Sequence, residues 1–271
     1  MANNIQTAYD AAPATGYAGQ LADAGPHFIV SGIPSADVVP GIVLLRSDTG
    51  LGVAPPTAAA ASATAILATG GASTAGTQTL SGASLNGAVG VTEMVPPRNV
   101  TLVLSNHADW DATSATVTGL DADGEVQTEA LAIPNGGNAT VTGTKLFASI
   151  VSVAIPAQTG TGGTFTVGTG TLFGDMTRHV AGASLYDAAK EPGVAAAYGT
   201  VNVLRQGRVR MRSEGGNPGD PVWVRITTSG AQVAGAVRST QDGVTCTRLR
   251  GAQFKSTTAS GIAVVDFNLP R

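Results

Sequence analysis

Three stretches bring together side chains with chemical potential. His107-Ala108-Asp109-Trp110-Asp111 sets a histidine and two carboxylates at alternate positions. In an extended chain these would lie on one side, as ligands for a cation. No second His or Cys cluster completes a ligand set, and His27 and His179 lack the spacing of a His-Glu-x-x-His helix, so the segment reads as a polar loop around Trp110. Leu120-Asp121-Ala122-Asp123-Gly124-Glu125 offers closely spaced carboxylates of the kind calcium takes. Counted from Asp121, however, the position that needs glycine is Val126 and the one that needs a bidentate glutamate is Ala132. Asp123-Gly124 reads instead as a hairpin turn. The run GTGGTFTVGTG (160–170) is rich enough in glycine to cradle a phosphate, but no Lys-Ser/Thr and no helix follow it, so it reads as a β-turn leading into a strand.

Nucleophiles fare no better. No Gly-x-Ser-x-Gly elbow occurs, and Cys246, the sole cysteine, sits in the apparent strand VTCTRL as a small core residue. One cysteine excludes an intrachain disulfide, which fits a reducing cytoplasm. The sequons at Asn99 and Asn138 carry no weight without a secretory leader, and no basic stretch precedes an apolar one at the start. The reading is of a protein that is not an enzyme, with no catalytic, cofactor-binding or metal residue and no cofactor.

Contact residues are the better candidates. In GRVRMRS, Val209 and Met211 alternate with Arg208, Arg210 and Arg212, the period of a strand with one buried and one cationic side. Such a row is either a solvated face or a contact for an acidic partner; arginine's planar fork suits carboxylates. Residues 1–25 contain eleven Ala or Gly, with Tyr9, Tyr17 and Leu21 as isolated anchors. Ordering costs about 1–2 kcal/mol per residue, so an arm of this composition is expected to be mobile when free and ordered by a partner surface.

Charge is uneven along the chain. Residues 1–175 carry 3 Lys/Arg against 12 Asp/Glu, and residues 176–271 carry 12 against 6, giving −9 and +6. The two parts could meet each other or neighbouring subunits. The arginines lack interleaved aromatics and form no continuous cluster, so no nucleic-acid partner is expected. The Ala-rich run AAAASATAILATGGAS is too short and too weakly apolar to span a membrane, and no membrane association is expected.

The elements that position these residues are short strands. Scarce aromatics, few charges and abundant Gly, Ala, Thr and Val disfavour long helices, and the fold class reads as all-β. The segmentation is an extended arm over 1–25, a split β-domain over 26–54 and 173–271, a low-complexity linker over 55–95 with one short strand near Thr77–Leu80, and an inserted β-sandwich over 96–172. Trp223 is expected in the core of the split domain, and a short helical turn over Ala183–Lys190.

The arm element GYAGQLADAGP, the strands leading to VVPGIVLLRSD, the turn GNPGDPVWVR and the terminal AVVDFNLP together resemble bacteriophage structural cement proteins, also called capsid decoration proteins. The resemblance covers about residues 1–50 and 195–271. It implies a split β-barrel-like, capsid-binding domain and attachment to the outer surface of the virion capsid, with the major capsid protein as partner. It also implies self-association, commonly as a homotrimer, and synthesis in the bacterial host cytoplasm. Bridging neighbouring capsomers, such a protein stabilises the mature shell by binding it selectively. Tyr9, Tyr17, Leu21, Arg208, Arg210 and Arg212 would be the capsid or subunit contacts. The alternative is a surface-exposed binding module or adhesin, whose inserted sandwich recognises a glycan or host-cell surface.

Overall fold

A computed structural model describes residues 16–23, 25–46, 50–105, 110–135, 138–187, 194–241 and 244–269. These residues are all-β, with no helix of seven or more residues, and none long and apolar enough to cross a membrane. The chain begins with β1 (Phe28–Pro34), β2 (Val43–Arg46) and β3 (Gly52–Ala54). It continues through β4 (Ser62–Gly71), β5 (Gln78–Ser81), β6 (Arg98–Ser105), β7 (Thr113–Leu120), β8 (Val126–Ile133), β9 (Ala139–Thr142), β10 (Ser149–Ile155) and β11 (Thr164–Phe173). It ends with β12 (Val180–Ser184), β13 (Val201–Arg212), β14 (Pro221–Arg225), β15 (Val237–Arg238), β16 (Cys246–Phe254) and β17 (Ile262–Asn268).

These elements form two units. The first takes the described residues up to Pro56, Val180–Thr240 and those from Gly251 onward; the second takes Thr57–His179 and Gln241–Arg250.

In the first unit, β1, β3, β2, β12 and β13 pair in that order, and a further β1–β13 pairing closes the five into a ring. Branched side chains pointing inward fill it: Val38, Ile42, Leu44, Val53, Val201 and Val203 are buried in one cluster. Beyond β13 the sheet runs on through β17, β16, β14 and β15. Here the alternation in β13 places Val209 and Met211 fully inside. The buried aromatics of this part are Phe254 and Phe267, not Trp223. Trp223 falls out of phase with Val222 and Val224, whose side chains are fully buried, and remains half-exposed. Arg225, only 3% exposed, makes a two-pronged ion pair with Glu214 through Nε and Nη2.

The second unit is two antiparallel four-stranded sheets, β5-β10-β7-β8 and β4-β11-β6-β9, on either side of one apolar core. Ile66, Leu102, Leu104 and Phe165 come from one sheet; Val117, Leu131, Ile150 and Val153 come from the other. Trp110 meets the edge of Phe165 at 6.1 Å between ring centres and donates its indole N–H to the Ser105 carbonyl at 2.8 Å. Asn99, fully buried, binds the Gly143 carbonyl and the Leu172 amide at 2.9 Å each, so its sequon is a structural pin.

Two expectations give way here. Residues 55–95 are more than a linker with one short strand: β5 lies where that strand is expected, but β4 is a second, each is an edge strand of one sheet, and Ile66 and Leu67 enter the core. Composition hid β4 because its flanking positions are Ala, Ser, Thr and Gly, while pairing with β11, shifted in register at two places, supplies what side chains do not. Ala183 and Ser184, expected in a helical turn, close β12, because β2 and β13 claim their backbone groups from both sides.

A fragment spanning 57–179 should therefore melt cooperatively, whereas one spanning 96–172 should not, since it lacks one strand of each sheet. Circular dichroism during heating, run on both, checks this. A sharp transition in the shorter fragment would show β4 and β5 to be dispensable.

Candidate functional site

The residues singled out for contact converge on β13. Residues 19–22 lie antiparallel beside it, with Leu21 opposite Val209. The Gly19 amide donates to the Arg210 carbonyl at 2.6 Å, the Arg210 amide to the Gln20 carbonyl at 2.8 Å, and the Ala22 amide to the Arg208 carbonyl at 2.9 Å. A fourth bond runs from the Tyr186 amide to the Gly19 carbonyl at 3.0 Å. Bonds of about 0.5–1.5 kcal/mol each cannot alone offset ordering at about 1–2 kcal/mol per residue, so side chains must add to them. Ala18 is buried, and Tyr17, though 52% exposed, packs on Tyr186 with ring centres 4.4 Å apart.

The arm's composition serves this contact. Gly19 has φ +82, and a Cβ there would strike the Tyr186 amide and Pro40, so only glycine lets the chain pass so close. Gly207, φ +121, does the same across the strand: the His27 ring occupies the place its Cβ would take. The expectation of a wholly mobile arm over 1–25 thus differs from the structure at residues 16–23, which the chain's own β13 already pairs. Tyr9 lies outside the described residues.

The arginine row is not an open cationic face. Arg208 lies 3.5 Å from Asp23 and 3.7 Å from Asp266, and Lys255 approaches Asp266 at 3.9 Å. Such exposed pairs contribute about 0–1 kcal/mol each; they set register more than stability. Arg212 donates Nε–H to the Pro40 carbonyl at 3.2 Å. Arg210 runs past Gly16 and Gln20, and its Nε has no hydrogen-bond partner among the described residues. His27 Nε2 stands 3.2 Å from Asp23 Oδ1 but off hydrogen-bond alignment, so proximity rather than a formed bond joins them. Asp23, His27, Phe28, Arg208 and Asp266 line a cavity of about 620 Å³. Tyr17, Arg212, Glu214, Gln232 and Ile262 line another of about 410 Å³.

One feature escaped sequence reading. Ile29 and Ile33 share the outer side of β1 and are 42% and 43% exposed; Leu51 and Tyr198, at 66% and 84%, stand nearby. Backbone bonds tie them together, Ile33 N–H to Leu51 O at 2.8 Å and Tyr198 N–H to Pro34 O at 2.7 Å. In the sequence each resembles an ordinary core residue. Only the ring closure, which commits Val30 and Gly32 inward, turns them out.

The motifs set aside earlier are structural where they are described. Asp121 Oδ1 accepts the amides of Asp123 and Glu125 at 2.8 and 3.0 Å, closing the β7–β8 hairpin. His107 and Asp109 lie outside the described residues. Trp110, Phe147, Phe165 and Phe173, the aromatic side chains an inserted sugar-binding module would stack with, are all buried. No protein-family model matches this chain, and no curated protein matches it. Its surfaces must speak for themselves.

Replacing Gly207 with alanine should push His27 aside and strain the backbone by about 1–3 kcal/mol. We expect faster hydrogen exchange at the amides of Gly19, Ala22 and Arg210, with β6 and β11 unaffected. Unchanged exchange at those three amides would mean that His27 does not help seat the arm.

Proposed function

We propose that this protein is a non-enzymatic capsid decoration protein that binds the outer surface of a phage capsid and cements neighbouring capsomers. The observation that carries the reading is the strand addition of residues 19–22 to β13. It seats residues 19–22 of a Gly/Ala-rich segment on a β-unit. A partner can complete such a segment by the same physics, with main-chain bonds for affinity and pockets for the few large side chains. The apolar group Ile29, Ile33, Leu51 and Tyr198 gives the β-unit a second contact of its own.

Copies associate in this reading as a homotrimer, so that several arms engage the lattice together. Effective affinity then rises by ~10²-fold or more without any new contact. Binding only the mature shell stabilises it by linkage. The acidic Asp23 and Asp266 beside Arg208 fix the seat of the arm, and Arg210 and Arg212 flank it as contacts for capsid or neighbouring subunit.

Co-sedimentation with purified mature capsids tests the proposal. The intact protein should pellet with capsids and raise their melting temperature, and removal of residues 1–15 should weaken attachment at least tenfold while the protein stays folded. Light scattering should return three times the chain mass. Binding to host cells or glycans with no retention on capsids would favour the adhesin reading and sink this one.

A further inference from the structure

The second unit contains a charge that its fold does not neutralise. Arg98, the first residue of β6, is only 5% exposed, and burial lowers its pKa from the ordinary guanidinium range. Its partners are carbonyl oxygens and a ring, not a carboxylate. Nη1 donates to Ala59 O at 2.6 Å and more weakly to Ala60 O at 3.4 Å, Nη2 donates to Gly170 O, and the guanidinium lies over Phe173 at 4.8 Å from the ring centre. A guanidinium carries five N–H donors. Those bonds leave Nε–H, which is buried with no hydrogen-bond partner among the described residues, and one Nη2–H. Donors of this kind are what a carboxylate takes.

Arg98 also lines a cavity of about 280 Å³, together with Ala59 and Ala60, whose carbonyls hold it. The rest of the wall is mostly apolar, from Ala65, Val89, Met94, Val95 and Pro96, with Ser62 and Thr169 adding hydroxyls. The one carboxylate on the lining is Glu93, which is 53% exposed and pairs with His179 Nε2 at 3.0 Å. It is thus engaged elsewhere and does not balance Arg98. An apolar pocket holding one buried cation with open donors is the complement of a molecule with an apolar body and a single carboxylate.

We infer that this cavity binds a small monocarboxylate, with the carboxylate on Arg98 and the hydrocarbon against Ala65, Met94 and Pro96. The site is independent of the arm and of attachment to a capsid. Carbonyls alone would suffice if Arg98 served only to pin residues 58–60 to β11, and the experiment separates the two roles.

Hexanoate and its neutral isostere hexanamide are the probes, titrated into the full-length protein and followed by amide chemical shifts. Saturable shifts at Ala59, Ala60 and Thr169 are expected with hexanoate, and hexanamide should bind about tenfold more weakly or worse, having lost the charged fork. Arg98→Met should abolish the preference for the acid. If that variant does not fold, Ala88→Phe decides: Ala88 is an exposed residue of the lining, so the change fills the cavity without disturbing the core. Hexanoate binding should then be lost with Arg98 intact. Equal affinity for acid and amide, undiminished binding by the Ala88→Phe protein, or no saturable shifts at all would each overturn the assignment.

Discussion

Strand β13 has no free edge over most of its length, and the first unit depends on that saturation. Along one edge run β1 and β17; along the other run β12 and residues 19–22. A strand buried between neighbours must satisfy every N–H and C=O through them, because water cannot reach to do so. The segments that satisfy β13 come from both ends of the chain. The ring of five strands, the sheet beyond it and the arm's seat are therefore three results of one set of backbone bonds. The arginines follow from the same constraint: with Val209 and Met211 drawn inward, Arg208, Arg210 and Arg212 fall on the opposite face, where Asp23 pairs with Arg208 and the Pro40 carbonyl accepts from Arg212.

The second unit solves the same problem of scarce large side chains in another way. Its residues are small, so it faces two sheets across a single core and closes gaps with buried polar pins. Asn99 ties β6 to Gly143 just past β9 and to Leu172 in β11, and the Glu129 carboxylate takes the amides of Thr144 and Lys145 at 2.6 and 3.1 Å. Groups of this kind are specific about position because an unmet partner is costly in a low dielectric. Arg98 belongs with them in burial, but its charge meets carbonyl oxygens and a ring.

Sequence reading was strongest where side chains alternate cleanly. The end of β13 and nearly all of β17 fall in the stretches GRVRMRS and AVVDFNLP, where the inward positions Val209, Met211, Val265 and Phe267 are large and apolar. It failed where backbone pairing, not side-chain pattern, makes the strand. β4 is mostly small residues, β9 is four residues long, and β12 is filled by Ala and Gly between two neighbours. Trp223 was misjudged because size was weighed above phase. Of the contact residues, Tyr17, Leu21 and the three arginines meet at one strand, a convergence that separations of some 190 residues along the chain could not reveal. The exposed Ile29–Leu51–Tyr198 group and the Arg98 cavity depend on tertiary closure and had no signal at all in one dimension.

The way the chain threads its two units also sets a timetable. Residues 57–179 are contiguous and can complete both sheets of the second unit as soon as they are made, save for the short return at 241–250. The first unit has to wait, since β17, which covers half of one edge of β13, ends at Asn268. Roughly 90 residues separate His179 from that point, about 5–20 s of synthesis at typical rates. Until then β1 and β2, and β13 once it is made, have unfilled edges, and long-range pairing of this kind is slow even once all strands are present. A finished module of 123 residues meanwhile lies between the early strands and the late ones along the chain, so it is the first unit whose open edges a neighbour on the same messenger could fill.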